Sequence, residues 1–444
     1  MSPARAGPPR HPSARSVALD VVRRVTDEGA YSNLALGRAL ARAGLSGRDA
    51  ALASELAYGT LRRRITIDHA LAPLLERPIE TAPKAARSLL RLGAYQLLYT
   101  RIPAHAAVGE TVGLADRRHR GFTNAVLRRL SVEGARTPQG NGDDDVAVRT
   151  GLDPWAVGEL RRLLGDEAEV AAAALATPGR TTLRANPCRV GLEELETALV
   201  GAGVVVERGA LHDGSLLVSA GSPAALPGFE RGWFAVQDQA SSFVVDALDP
   251  RPGERVLDAC AGPGGKAGQI ACAVGARGSV VAADVRLARA GLVRSNLDRL
   301  GLPGRVLVQD AREPAVQGSF DRILVDAPCS GIGSARRRPE LLWRFRTEEL
   351  SPLARLQVAI VERVTDLLRS GGRLVYSVCT FPRAETDAAC DAILRHRRDL
   401  EPVALEGPDG PSPRIRLWPH RHGCDAMFVA GFRRSEDGAP AGDR

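Results

Sequence analysis

From Val17 to Leu130 apolar residues recur at three- and four-residue spacing, as in Ala51-Leu-Ala-Ser-Glu-Leu-Ala-Tyr-Gly-Thr-Leu61 and Ser88-Leu-Leu-Arg-Leu-Gly-Ala-Tyr-Gln-Leu-Leu-Tyr99. That is the period of helices that turn one face to a core. Gly44, Ser46-Gly47 and Arg101-Ile-Pro103 punctuate them, as helix stops do. A different pattern begins after Thr137-Pro-Gln-Gly-Asn-Gly-Asp-Asp-Asp145, turn formers followed by like charges that read as a linker. Residues 155–175 are helical in period, Thr181–Asn186 reads as a strand, Leu192–Val200 as a helix, and Val204–Glu207, Leu216–Val218 and Trp233–Val236 as short strands. From Pro250 onward apolar strand-like runs alternate with helices: Arg255–Asp258, Ser279–Asp284, Arg305–Asp310, Arg322–Asp326 and Arg373–Val378, with helices beginning near Gly265, Leu287, Pro352 and Ala384, and a last strand over Ala426–Phe432.

This alternation predicts a doubly wound parallel sheet. The expected organisation is a disordered basic tail over 1–15 and an all-α domain over 16–136. A linker over 137–149 and a small α+β subdomain over 150–245 follow, then an α/β Rossmann-like domain over 246–434 and a disordered tail over 435–444. A chain of 444 residues is too long for one ordinary core, which agrees with several domains.

Charge sharpens the division. Residues 1–150 hold 23 Lys+Arg against 14 Asp+Glu, whereas the rest holds 37 against 38. The overall excess of +8 therefore lies in the helical third, as an RNA-facing module would have it. Clusters at Arg62-Arg63-Arg64, Arg117-Arg118-His119-Arg120 and Arg128-Arg129 are candidate phosphate contacts. A GC-rich genome explains Arg over Lys but not this segregation. Arg5, Arg10 and Arg15 without an acid suit a transit peptide, but Pro3, Pro8, Pro9 and Pro12 oppose an amphipathic helix there. No apolar run reaches membrane-spanning length. Seven irregularly spaced cysteines read as reduced thiols of a cytoplasmic protein.

Two of those cysteines lie at the C-terminal ends of strand-like runs: Cys329 in Asp326-Ala-Pro-Cys-Ser-Gly331 and Cys379 in Tyr376-Ser-Val-Cys-Thr-Phe-Pro382. Strand C-termini line the ligand crevice of an open α/β sheet, so both thiols should face one site. Two thiols together suit covalent catalysis, although a buried structural role is the common fate of a free cysteine. After the first strand, Asp258-Ala-Cys-Ala-Gly-Pro-Gly-Gly-Lys266 offers a flexible backbone and a helix N-terminus to a ligand. It satisfies a loose dinucleotide fingerprint and fails the P-loop pattern. Asp258, Asp284, Asp310 and Asp326 end four of the strands. Asp284 suits a ribose diol and Asp310 an adenine amino group, a layout that fits S-adenosylmethionine. Helix capping is the alternative for each acid singly. His420-Arg-His422-Gly-Cys424 has ligand-like spacing but lacks a second cluster to complete four ligands, and no metal is expected.

Taken together, the 258–266 and 326–331 segments, Arg336-Arg-Arg-Pro-Glu340, Tyr376–Cys379 and Gln237-Asp-Gln-Ala-Ser-Ser242 closely resemble the bacterial RNA 5-methylcytosine methyltransferases. The helical third, with Glu55-Leu-Ala-Tyr-Gly-Thr-Leu-Arg62, Arg91–Tyr99 and Gly121-Phe-Thr-Asn-Ala-Val-Leu-Arg-Arg129, resembles the antitermination factor NusB. The pairing is similar to the RsmB (Sun/Fmu) type, which acts on 16S ribosomal RNA, and it covers residues 16–434. The resemblance implies that Cys379 is the nucleophile for C6 of cytosine and that Cys329 assists C5 deprotonation and release. It implies that Asp326 hydrogen-bonds the base. Cys260, Ala261, Gly262, Pro263, Gly264, Gly265 and Lys266, with Asp284, Asp310 and Asp326, would contact S-adenosylmethionine.

Arg336, Arg337 and Arg338 are read as RNA phosphate contacts, and the chain is expected to act as a monomer. A tRNA substrate and an RNA-binding protein with an inactive enzyme domain are the alternatives. Val378 stands where the family usually has Thr, so a hydroxyl contact beside the nucleophile is expected to be lost. Gly262 and Ala267 replace the commoner Ala and Thr. What activates Cys379 is not legible.

Overall fold

The computed structural model describes residues 12–219 and 221–436. It divides into two units, one of residues up to Ala176 together with Arg337–Arg344, the other of Thr177–Arg336 and Phe345 onward.

The first unit is helical: α1 (Ala14–Asp27), α2 (Ser32–Ala43), α3 (Gly47–Arg62), α4 (Arg64–Leu71), α5 (Lys84–Tyr99), α6 (Ala104–Gly113), α7 (Arg120–Glu133), α8 (Asp143–Thr150), α9 (Pro154–Leu164) and α10 (Ala168–Leu175). Ser13 caps α1, its hydroxyl accepting from the Ser16 amide, one of the donors a helix start leaves free. The helix thus begins inside the stretch expected to be a tail; residues 1–11, like 437–444 of the C-terminal tail, lie outside the described residues. The interhelical core is built from Val21, Val22, Leu56, Leu61, Ile67, Leu89, Leu90 and Leu127, all almost fully buried.

Three expectations for this unit change. The acidic run Asp143–Asp145 opens α8 rather than ending a linker, with Asp145 Oδ2 accepting the Gly142 amide; carboxylates at a helix N-terminus oppose its positive end, which their mutual repulsion does not outweigh. Helices α8 to α10 group with the helical unit, so the boundary falls at residue 176 and not near 150. Among the basic clusters, Arg62–Arg64 is interior. Arg62 is 8% exposed, Arg63 lies over the Tyr99 ring and Arg64 over the Trp343 ring at 4.2 Å. Arg117, Arg118, Arg120, Arg128 and Arg129 are exposed, and Phe122 among them is 42% exposed. The segment 337–344 is bound closely within this unit. Glu340, fully buried, accepts the Ser32 amide, Trp343 Nε1 donates to the Leu61 carbonyl at 2.7 Å, and Arg344 donates to the carbonyls of Val25, Gly29 and Ala30.

The second unit opens with a four-stranded antiparallel sheet of β1 (Thr181–Ala185), β2 (Val205–Arg208), β3 (Ser215–Ser219) and β4 (Phe234–Val236), in the order β2-β3-β1-β4, with α11 (Leu192–Gly201) between β1 and β2. After α12 (Gln239–Leu248) come β5 (Arg255–Asp258), α13 (Gly265–Val274), β6 (Ser279–Asp284), α14 (Leu287–Leu300), β7 (Arg305–Val308), β8 (Phe320–Asp326), α15 (Leu350–Thr365), β9 (Leu368–Val378), α16 (Asp387–His396), β10 (Leu400–Pro402), β11 (Arg414–Leu417) and β12 (Met427–Arg434).

The main sheet runs β10-β12-β9-β8-β5-β6-β7, with β11 on β12. Strands β5 to β9 are parallel, while β10, β11 and β12 are antiparallel additions. The sheet is therefore mixed and not doubly wound parallel throughout. A buried apolar run such as 426–432 reads the same in either direction, so hydrophobic pattern alone cannot assign it.

The thiol expectation also changes, because Cys188, just past β1, and Cys272 on α13 form a disulfide; Cys260, Cys329, Cys379, Cys390 and Cys424 are free. The pair is separated by 84 residues and only the fold brings it together. Among the described residues no helix is long and apolar enough to cross a membrane.

Candidate active site

The site lies at the C-terminal tips of four neighbouring strands, β6, β5, β8 and β9. In register Asp258 pairs with Leu324 and Asp326 with Ser377, which sets Asp258, Asp326 and Cys379 along one edge. Alternation along β9 then sorts its side chains. Leu374, Tyr376 and Val378 enter the core with α15 and α16, whereas Val375 and Cys379 pack against the opposite cluster. Val378 is fully buried in that apolar core. A hydroxyl at 378 would face hydrocarbon, so its absence removes no contact to the reacting centre; the loss expected at this position does not arise.

The two candidate thiols converge: Cys329 Sγ lies 3.5 Å from Cys379 Sγ. The Cys329 thiol is pushed well above its usual range, first by its hydrogen bond to Cys379 and then by burial. Cys329 therefore keeps its proton and donates it toward Cys379. Nearby, Lys266 Nζ pairs with Asp326 Oδ2 at 2.6 Å. Burial opposes the Lys266 charge, but Asp326, Asp258 and Cys379 together hold it above the usual lysine range. A neighbouring thiol and an ammonium thus both favour a thiolate at Cys379. Asp326 Oδ1 accepts from the Ser377 hydroxyl at 2.8 Å. Sequence reading missed Ser377; its only signal was its register opposite Asp326.

Beside the thiols lies a cavity of about 370 Å³ whose lining includes Asp258, Cys260, Ala261, Gly262, Pro263, Gly265, Lys266 and Asp326. Gly264, at φ +107°, caps α13; a Cβ there would lie 2.9 Å from the Val293 backbone. At Gly262 a Cβ would come 2.5 Å from Asp284 Oδ2. The smaller residue lets Asp284 accept the Gly262 amide at 3.1 Å, while its other oxygen accepts the Arg286 amide at 2.9 Å. Ala267 is fully buried in the core.

Asp310 lies two residues past β7, held by the Arg312 amide and guanidinium, with Arg312 lowering its carboxyl pKa. Cys260 is half-buried and its thiol is pushed up by burial. Arg336 donates to the carbonyls of Gly423 and Cys424, and all three of Arg336–Arg338 are half-buried. His422 Nδ1 accepts the Trp418 amide, and among the described residues no His/Cys/Asp/Glu group is arranged for a metal.

Asp258 is fully buried, and among the described residues neither carboxylate oxygen has a hydrogen-bond partner. Such an acid in a ligand cavity fits a cationic group, as the glycine-rich cradle and Asp284 fit a nucleoside. Burial, reinforced by the Asp326 charge, pushes the Asp258 carboxyl up to about 7. The folded state therefore holds a proton that the unfolded state releases near pH 4. Stability contributed by that proton is lost as pH rises toward 7, at up to about 1.4 kcal/mol per pH unit. Asp258→Asn is expected to flatten this decline, so that the ligand-free variant gains on the parent at pH 8 relative to pH 5. Urea unfolding at the two pH values measures it, and an unchanged slope would remove Asp258 as the titrating group.

Two family models match this chain. The model for 16S rRNA methyltransferase RsmB/F covers residues 245–433, and the NusB family covers residues 12–131. A Pseudomonas putida protein named ribosomal RNA small subunit methyltransferase B is 37% identical, over 86% of this chain and 90% of its own. The chain belongs to this family.

Another RsmB/F relative carrying that name, from Erwinia tasmaniensis, is 33% identical over 94% of this chain and 97% of its own. Among solved structures, a methyltransferase homologue from Pyrococcus horikoshii is 27% identical, with a TM-score of 0.58 over 66% of this chain and 99% of that one. A crystal structure titled PH0851 superposes over 97% of this chain with a TM-score of 0.83 at 23% identity, a likeness of fold. This RsmB/F chain is thus an S-adenosylmethionine-dependent enzyme that forms 5-methylcytosine in ribosomal RNA.

Proposed function

We propose that Cys379 attacks C6 of an unpaired or flipped-out cytosine in 16S ribosomal RNA, with Cys329 as the group that completes the reaction. The observation that carries this reading is the 3.5 Å separation of the two sulfurs at the tips of adjacent parallel strands. C5 of cytosine is a weak nucleophile, and addition of a thiolate at C6 makes it enamine-like. Stacked C6 is out of reach, so the base must leave its helix, as single-stranded loops allow.

Asp326, which pairs with Lys266 and Ser377, would hydrogen-bond the base and favour N3 protonation as the C6 bond forms. Once Cys379 sulfur is bonded to carbon it no longer accepts the Cys329 proton as an anion. Cys329 then loses its proton to solvent more easily and, as thiolate, takes the C5 proton. The electrons of that C–H bond restore the ring double bond, the C6–S bond breaks to regenerate the Cys379 thiolate, and N3 releases the proton it gained.

S-adenosylmethionine supplies an electrophilic methyl group to this site. The 260–266 cradle, Asp284 and Asp310 are proposed to hold it, with Asp258 facing its ammonium. Arg336, Arg337 and Arg338 are proposed RNA phosphate contacts, together with the exposed arginines near α7; Arg336 also donates to the Gly423 and Cys424 carbonyls. The setting proposed is the cytoplasm, where ribosomal RNA is made.

Bisulfite sequencing of ribosomal and transfer RNA from a strain lacking the protein tests the substrate. 5-Methylcytosine should disappear from 16S RNA and return with the parent gene but not with Cys379→Ala. Loss confined to tRNA would overturn the ribosomal assignment.

A further inference from the structure

Next in sequence to the two cysteines, among residues that do not line the cavity, lies a buried polar cluster that the chemistry above does not use. At its centre is Glu385, in the turn before α16 and fully buried. Its Oε1 accepts from the Ser330 amide at 2.9 Å and from Gln357 Nε2 at 2.9 Å, and its Oε2 accepts from the Ser330 hydroxyl. That hydroxyl lies 2.7 Å from Thr380 Oγ1. Gln357, on α15, also donates to the Pro328 carbonyl at 3.0 Å. Tyr376 OH donates to both Gln357 Oε1 and the Glu385 carbonyl. Gln357, Tyr376 and Thr380 are each at most 1% exposed.

Ser330 follows Cys329 and Thr380 follows Cys379. One carboxylate, through the Ser330 hydroxyl, therefore ties together the two loops that carry the thiols, and three donors converge on it. Burial of an isolated carboxylate is unfavourable, and here burial raises the Glu385 pKa while the Ser330 and Gln357 donors oppose the rise. Its charge is also among the influences that keep Cys329 protonated.

We infer that Glu385 is a positioning residue that sets the sulfur–sulfur geometry by clamping the Ser330 and Thr380 loops to one buried carboxylate. The inference rests on the reading of Cys379 and Cys329 as the reacting pair. It separates Glu385 from the S-adenosylmethionine site, since none of the residues it touches lines that cavity. A misplacement of reacting groups by about 1 Å costs on the order of 10²-fold in rate, whereas binding of the cofactor should be indifferent to it. Glutamine at 385 can preserve the clamp. Its amide oxygen would take the two N–H donors now on Oε1, and its NH₂ would donate to the Ser330 hydroxyl, which then donates to Thr380.

The test measures formation of the covalent complex with 5-fluorocytosine RNA, together with S-adenosylmethionine affinity by calorimetry, in full-length protein. Glu385→Ala is expected to slow adduct formation by about 10²-fold with unchanged cofactor affinity. Glu385→Gln should stay within about tenfold of the parent. Thr380→Val, nearly isosteric and severing only the hydroxyl bridge, serves if Glu385→Ala does not fold, and it should slow the adduct about tenfold. A folded Glu385→Ala, or in its absence Thr380→Val, that forms adduct at the parental rate overturns the inference. A Glu385→Gln as slow as Glu385→Ala overturns the clamp as well. Failure of the parent protein itself to form an adduct defeats the underlying reading of the cysteines instead.

Discussion

Cys379→Ala is expected to abolish both methyl transfer and covalent capture of 5-fluorocytosine RNA, a loss of at least about 10³-fold in turnover. No neighbouring group can take its place. Cys329 is the nearest thiol, but it carries a proton held by its bond to Cys379 and by burial, and it is displaced from that position by 3.5 Å. Lys266 is committed to Asp326 as a charged ammonium, so it is no nucleophile. Truncation of a half-buried cysteine removes one sulfur from the edge of a packed strand, and the fold should survive it. Cofactor affinity should therefore be retained while the band of protein cross-linked to RNA disappears from denaturing gels. Methylation of RNA at the parental rate by Cys379→Ala would show the mechanism to be wrong.

Cys329→Ala should produce the opposite phenotype on the same gel. With the donor gone, the Cys379 thiolate is stabilised only by Lys266, and attack slows without stopping. With the base gone, the C5 proton has no acceptor at the right place and the C6–S bond cannot break. The enzyme should accumulate as a covalent complex with ordinary cytosine RNA, and multiple turnover should fall at least about 10²-fold. Cys329→Ser should behave likewise, because a hydroxyl can donate to Cys379 but is not a base near neutral pH. Sustained turnover in either variant, with no trapped complex, would remove Cys329 from the release step. The double variant Cys379→Ala/Cys329→Ala should give no complex at all, which distinguishes trapping from aggregation on RNA.

The parts of the site that were legible in the sequence are those whose chemistry is local. The glycine-rich turn between β5 and α13, the acids at strand ends and the cysteine after each of β8 and β9 announce themselves because strand-to-helix turns put their residues at the crevice. The acids were less uniform than they looked. Asp258, Asp284 and Asp326 end strands, but β7 stops at Val308 and Asp310 sits beyond it under Arg312. Gly262 stands where the family commonly has Ala, and the structure brings Asp284 Oδ2 close to where a Cβ would lie. Arg62–Arg64 looked like a surface cluster because charge on a helix usually is. Trp343, nearly three hundred residues later, and Tyr99 cover it, and no local pattern encodes such a partner.

Sequence by itself determined the helical unit, the alternation that builds the main sheet, the cradle and the identity of the two thiols. Each of these is written in periodicity or in the chemistry of neighbouring residues. Tertiary structure alone decided which groups meet. It brought Lys266 to Asp326 across 60 residues and Ser330 to Glu385 across 55, joined Cys188 to Cys272, and set the two thiols, expected at one crevice, 3.5 Å apart. It also turned Val378 into the core and Cys379 out of it. These pairings depend on strand order and register, and a one-residue step in a strand exchanges the two faces. Thus the two candidate thiols could be named from the chain, but their 3.5 Å approach and the groups around them could be read only from the fold.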